Sequence, residues 1–251
     1  MNADNPVEYL DNLAKSFEKD EPARPPIEAF VTNWGKYVEG KAAGDWIAFP
    51  ATPAAVQQLF EKIGIDGIRY EEWALTDYNS WISDLHSEIG ELANLDEVNY
   101  LAHLMLDMPQ EDRQLFEAAV EHGGQGHGAQ ALINIALNKD YYTYFPNCSD
   151  HESLGEYVVD NDPVYQQIKR LYPEHSQFDY ERVGRDFDFG TTGNLASNGG
   201  YILPMQGQWI EHYGGPQDVP EEYRLHAGEI MKGPAGRNKT QAARMEPQPA
   251  R

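Results

Sequence analysis

The sequence predicts an α+β fold in three small units: an N-terminal α/β unit (28–82), a central helical unit (83–140) and a C-terminal α/β unit (141–204). Three observations predict it. Strand-like runs surround a well-capped helix in the first unit, and apolar residues recur at spacings of three and four in the second. In the third, an aromatic strand and a closing strand enclose three helical stretches. Residues 1–27 read as an extension and linker that ends in EPARPP (21–26), and 205–251 as a tail rich in Gly, Pro and Gln, partly disordered at its end.

In the first unit, AFVTNW (29–34) and GDWIAFP (44–50) are expected strands around the turn GKYVEGKAAG (35–44). TPAAVQQLFEKIGI (52–65) starts a helix, with Thr52 as N-cap and Pro53 at the first helical position, where a missing N–H is harmless. RYEEWALTDY (69–78) alternates in part and fits a third strand. In the central unit Ile89, Leu92, Leu95, Val98, Leu101 and Leu104 follow at spacing three, with Leu85 and Met105 at spacing four, and Asn94 divides the stripe into two helices. PQEDRQLFEAAVEH (109–122) opens a third helix with acids in its first turn, where the helix dipole favours them. GAQALINIALN (128–138) is a fourth, after the flexible glycine-rich loop GGQGHG (123–128). The C-terminal unit reads as the strand YYTYFP (141–146), the helices SDHESLGEYVVD (149–160), PVYQQIKRLY (163–172) and FDYERVGRDFDF (178–189), and the strand GGYILP (199–204), with no internal repeat.

Charge is the strongest signal. The chain of 251 residues carries 41 acids against 19 bases, a formal net charge of −22. Residues 26–205 hold 29 acids and ten bases, 10 − 29 = −19, whereas 206–251 hold six of each. Two zones lack bases altogether: 71–112 with eleven acids, and 140–168 with six (Asp140, Asp150, Glu152, Glu156, Asp160, Asp162). Such a chain repels nucleic acid and anionic membranes and favours a basic partner. Yet 41% hydrophobic and 12% aromatic residues leave ample material for a core, unlike a disordered acidic chain. The single cysteine, Cys148, allows no intrachain disulfide. The N-terminus lacks a basic-then-apolar leader, and no apolar run reaches the roughly 18 residues that span a bilayer. A soluble cytoplasmic protein is expected.

Conventional sites fail one by one. Asp-Phe-Gly within RDFDFG (185–190) lacks the Gly-rich loop, strand Lys and catalytic loop of a kinase. GGQGHG is followed by no phosphate-binding Lys-Ser/Thr and lacks dinucleotide spacing. His122 and His127 have no Cys beside them to complete a zinc site, and Cys148, with His151 three residues on, has no orienting third group. DNDP (160–163) lacks the glycine and distal Glu of a calcium loop. No catalytic residue, metal or cofactor is therefore expected. The collective charge remains. Duplex DNA carries one charge per about 1.7 Å, so the central −19 equals about 32 Å of duplex, roughly one turn.

VTNWGKYVEGKAAGDWIAFP (31–50), YEEWALTDY (70–78), IGELANLDEVNYLA (89–102), SLGEYVVD (153–160), FDYERVGRDF (178–187) and GGYIL (199–203) stand in this order and spacing. In these the chain resembles the ArdA-type antirestriction proteins, from about Ala29 to Leu203. The resemblance implies an elongated three-domain homodimer, joined through its C-terminal domain, at FDYERVGRDFDF and GGYIL. It implies mimicry of bent duplex DNA and inhibition of type I restriction-modification enzymes without catalysis, in the bacterial cytoplasm, on conjugative plasmids, transposons or phage. The N-terminal extension, the glycine-rich loop and the neutral tail depart from the family pattern, and Asp160 and Asp162 stand where relatives often carry glutamates. On this reading Glu71, Glu72, Asp77, Asp84, Glu88, Glu91, Asp96, Glu97, Asp107, Glu111, Asp112, Asp150, Glu152, Glu156, Asp160 and Asp162 are phosphate surrogates facing the partner enzyme. Two alternatives stand beside it: an acidic hydrolase with a carboxylate pair or bound cation, and an interaction module for another basic DNA-binding protein.

Overall fold

The computed structural model describes residues 24–173, 178–205, 207 and 209–231. Within them the fold is mixed α/β, with two three-stranded antiparallel sheets. In the first sheet β1 (Ile27–Asn33) is central. It is followed by a short helix α1 (Trp34–Val38) and pairs with β2 (Gly44–Phe49) on one side and β3 (Trp73–Ser80) on the other. The sequence-expected turn at 35–44 thus contains a helix. It starts because Asn33 Oδ1 accepts the Lys36 N–H at 3.0 Å, a local cap that periodicity does not reveal. Ile27, Ala29 and Val31 alternate into the core with no exposed surface. The helix α2 (Pro53–Ile63) buries Val56, Leu59, Phe60 and Ile63. Its ends follow the sequence: Thr52 Oγ1 accepts the Ala55 N–H at 3.2 Å, and Gly64 closes it at φ 77°.

Four helices come next: α3 (Leu85–Ile89), α4 (Leu95–Leu106), α5 (Gln110–His122) and α6 (Ala129–Leu137). Asn94 does break the stripe. Its Oδ1 accepts the N–H groups of Asp96 at 2.8 Å and Glu97 at 3.4 Å, so the chain re-enters helix there. The break moves Leu92 off the expected apolar face, and it is 89% exposed. Leu95, Val98, Leu101, Ala102 and Met105 keep the core face of α4, while α6 is buried along nearly its whole length. In the loop before α6, Gly123, Gly124, Gly126 and Gly128 all have positive φ, which only glycine adopts without strain. That loop is pinned by the Gly128 N–H, which donates to Glu88 O at 2.7 Å.

The second sheet has the order β4-β6-β5, with β4 (Tyr142–Phe145), β5 (Asn194–Leu195) and β6 (Tyr201–Pro204). Between β4 and β5 run α7 (His151–Asn161), α8 (Pro163–Leu171) and α9 (Tyr180–Gly190). α7 and α9 cross backbone to backbone. A Cβ on Gly155 would overlap the Tyr180 carbonyl oxygen, and one on Gly184 the His151 carbonyl oxygen.

The segment 209–231, read from sequence as part of a loose tail, folds back onto the central helices. Tyr213, Val219, Leu225 and Ala227 are buried, and the short helix α10 (Ala227–Met231) packs on α2. Its apolar residues have neither helical nor strand period, which is why the sequence hides this. Residues 1–23 of the expected extension and 232–251 of the expected tail lie outside the described residues. One hydrophobic cluster runs from Ile27 through the central helices to Ala227, and a second, around Cys148, Leu154 and Tyr201, lies beneath α7.

The α7–α9 crossing yields a prediction. Gly184→Ala forces the two backbones apart and should destabilise the protein by about 1–3 kcal/mol or more, read as a lower urea midpoint. An unchanged midpoint would show that the helices are not in this contact.

Candidate acidic interaction surface

The acids separate by what their carboxylates touch. Glu71 and Glu72 lead into β3 and are exposed, as are Asp84 before α3, Asp107 at the end of α4 and Glu111 in the first turn of α5. None of these five side chains has an ion pair or hydrogen bond among the described residues. Asp77, exposed on β3, accepts only its neighbour's N–H among the described residues, from Tyr78 at 2.8 Å. Glu88 and Glu91 face imidazoles, His127 at 3.2 Å and His86 at 3.9 Å, which are cations only when protonated. Within this base-free zone only Asp112 meets a permanent cation among the described residues, Lys139.

On α7 the exposed Glu152, Glu156 and Asp160 follow at intervals of four, so they form one row with a rise of about 6 Å per step. Glu152 and Glu156 have no partner among the described residues, whereas Asp160 pairs with Lys169 at 2.6 Å. Asp150 caps α7: its Oδ1 accepts the Ser153 N–H at 2.8 Å, and that bond holds its carboxyl below the usual range. Asp162 caps α8 by accepting the Val164 N–H at 2.7 Å. Helix N-termini carry partial positive charge, so these acids are tolerated there without lysine or arginine.

Two of the sequence-expected surrogates make hydrogen bonds within the fold. Asp96 Oδ1 accepts the N–H groups of Leu225 at 2.7 Å and His226 at 3.3 Å. Glu97 is only 9% exposed and accepts the Tyr213 O–H at 3.1 Å. Both tie α4 to the returning segment. Conversely, Glu117 and Glu121 on α5, not singled out from sequence, line one depression of about 200 Å³ with Asp84 and Glu88. Arg113 ends the base-free zone just before them and hides them from a count of charge runs. Both hold the loop after β5: Glu121 accepts from the Ser197 N–H and O–H, Glu117 from Asn198 Nδ2.

Among the described residues no group of three or more His, Cys, Asp or Glu side chains is placed to share a metal ion. Nor is any helix there long and apolar enough to cross a membrane. Cys148 is buried, which pushes its thiol pKa up and away from the reactive thiolate.

Burial raises the Glu97 pKa above the ordinary carboxylate range, with the Tyr213 hydrogen bond opposing the shift. The folded state therefore binds this proton more tightly than the unfolded chain. Stability is lost as pH rises from the ordinary Glu pKa through the raised one. Glu97→Gln keeps an acceptor for Tyr213 and should flatten this dependence, leaving the protein at least as stable near neutrality. Tyr213→Phe leaves the acid without its donor and should cost about 1–3 kcal/mol. Urea unfolding at about pH 5 and about pH 8 checks both, and an E97Q protein weaker than the parent at the higher pH would contradict the assignment.

The geometry is thus a set of outward, largely unneutralised carboxylates carried by a fold whose inner acids serve as caps and ties. A family model for antirestriction protein (ArdA) matches residues 29–202. A search among curated proteins finds no match. With the family model covering well over half of its length, the chain belongs to the ArdA antirestriction protein family.

Proposed function

We propose that the chain inhibits type I restriction-modification enzymes by occupying their DNA-binding groove as an acidic mimic of the duplex. The phosphate surrogates are the acids Glu71, Glu72, Asp77, Asp84, Glu88, Glu91, Asp107, Glu111, Glu152 and Glu156, with Asp112, Asp150, Asp160 and Asp162 adding charge while they pair or cap. The observation that carries this reading is that Glu71, Glu72, Asp84, Asp107, Glu111, Glu152 and Glu156 are exposed and unpaired among the described residues, on two separate parts of the fold. Lys and Arg sites built for phosphate gain from such positioned anions. The protein performs no catalysis of its own, consistent with charge dispersed over many side chains rather than concentrated in one pair.

The same reading gives an elongated molecule of three small domains that dimerises through its C-terminal unit and acts in the cytoplasm of a bacterium carrying a mobile element. Exposed apolar side chains there support the dimer: Phe189 at the end of α9 is 94% exposed, and Val164 and Leu171 on α8 are 64% and 60% exposed. Tyr201 and Ile202 of β6 are fully buried within the chain, and the exposed apolar residues of α8 and α9 are the part of the unit that supports the proposed dimer contact.

Inhibition of a purified type I enzyme tests the mimicry. Neutralising one exposed acid, as in Glu156→Gln, should weaken inhibition by about 1 kcal/mol or less. Neutralising Glu152 and Glu156 together with Asp107 and Glu111 should weaken it far more, and inhibition should fall steeply with added salt. A salt-insensitive inhibition curve would refute charge mimicry, and abolition by a single substitution would favour a catalytic carboxylate instead.

A further inference from the structure

A groove of about 660 Å³ opens between α1, the start of β3 and the loop 91–94. Its walls are Trp34, Trp73 and Leu92, and Glu71, Glu72 and Glu91 also line it. Trp34 is 36% exposed and Leu92 89%, an uncommon display of apolar surface inside an acidic zone. The walls are preformed. The Trp34 N–H donates to Glu72 O at 3.0 Å, and the Leu75 N–H donates to Glu91 O at 2.8 Å, which locks the three segments together. Trp34 stacks on Tyr37 with centroids 5.2 Å apart, and Trp73 leans on Phe60 at 5.0 Å.

The basic residues flanking these segments in sequence are turned elsewhere. Lys36 Nζ donates to Ile63 O at 2.8 Å, and Arg69 pairs with Glu39 at 3.0 Å. Among the described residues Glu71 and Glu72 have no ion pair, and Glu91 faces the His86 imidazole at 3.9 Å. The groove is therefore lined by two indoles and three carboxylate-bearing side chains, with no cation among its lining residues in the described part of the chain.

We propose that this groove is a receptor for an arginine side chain of the basic partner. The proposal rests on the DNA-mimic reading above and names the group that one part of the acidic surface binds. A guanidinium is planar and weakly hydrated, stacks on an indole face and reaches carboxylates with a fork of N–H donors. Leu92 covers its methylene stem. A lysine ammonium, compact and strongly hydrated, uses the carboxylates but not the aromatic walls as well. A row of phosphate surrogates alone has no such walls, so the groove adds recognition that salt screens less.

The test uses the full-length protein and the blocked tripeptide acetyl-Gly-Arg-Gly-amide, with acetyl-Gly-Lys-Gly-amide as comparator. The arginine peptide should shift the indole N–H resonances of Trp34 and Trp73 saturably, bind several-fold more tightly than the lysine peptide, and lose its effect in E71Q/E72Q. Unmoved indole resonances, or equal binding to E71Q/E72Q, would overturn the proposal. In the inhibition assay, Trp34→Ala keeps every carboxylate and should weaken inhibition by roughly ten-fold while leaving the salt dependence unchanged. If W34A inhibits like the parent while neutralisation of Glu152 and Glu156 with Asp107 and Glu111 weakens inhibition, the receptor is wrong and mimicry stands. If that neutralised variant inhibits like the parent, mimicry itself fails, and the peptide titration still decides the groove.

Discussion

The fold depends on joining its parts largely through neutral side chains, although Lys36, whose Nζ donates to Ile63 O, stands at one of the joints. A net charge of −22 pushes the chain apart, and lysines placed inside the joints would cancel the outer charge that the surface displays. Buried asparagines make the joints instead. Asn33 Nδ2 donates to Ile63 O and Gly64 O, fastening the end of α2 to the first sheet. Asn99 accepts from the Ala51 N–H at 2.7 Å and donates to Tyr223 O at 2.8 Å, bridging three segments. Asn134 accepts the His212 and Tyr213 N–H groups and donates to Tyr213 O, and Asn138 donates to Ile210 O. All four are buried neutral amides, and Asn33, Asn99 and Asn134 both donate and accept, so they add specificity at no electrostatic cost to the exterior.

The acids obey the same constraint from the other side. Three acids close to the body take backbone N–H groups rather than a cation: Asp150 and Asp162 at helix N-termini, Asp96 on the returning segment. An N–H donor satisfies a carboxylate without neutralising it. Asp150 is exposed, so one side chain both terminates a helix and contributes to the outer field. Structural and displayed charge therefore overlap, and the excess of acid is compatible with a packed core.

Much of this was legible in the sequence where the signal is local. The Thr52-Pro53 helix start, the break at Asn94 and the strands at 29–34 and 44–50 are short-range chemistry, and the structure places them within a few residues. The two base-free zones were legible as composition. What composition does not carry is partnership across the chain. Asp96 and Glu97 look like any other surface acids until Leu225 and Tyr213, more than a hundred residues later, come to meet them. Leu92 fits the spacing-three stripe, yet a one-residue cap at Asn94 rotates it outward. Glu117 and Glu121 were hidden by one arginine nearby in sequence. The returning segment has no period to detect, because asparagine side chains and scattered aromatics hold it rather than an apolar face.

That segment also shows how an acidic stretch can be laid over acids. Residues 209–231 carry five acids (Glu211, Asp218, Glu221, Glu222 and Glu229) and one base, Arg224, and lie over α4 and α6, against Asp96 and Glu97. Charge attraction therefore does not hold the segment there. It meets Asp96 with main-chain N–H groups and Glu97 with a phenol, and these neutral donors satisfy the covered carboxylates without discharging the outward acids. The same logic places Trp34 and Trp73 beside Glu71 and Glu72: the aromatic walls give the groove shape and apolar surface without adding like charge to a chain that already repels itself.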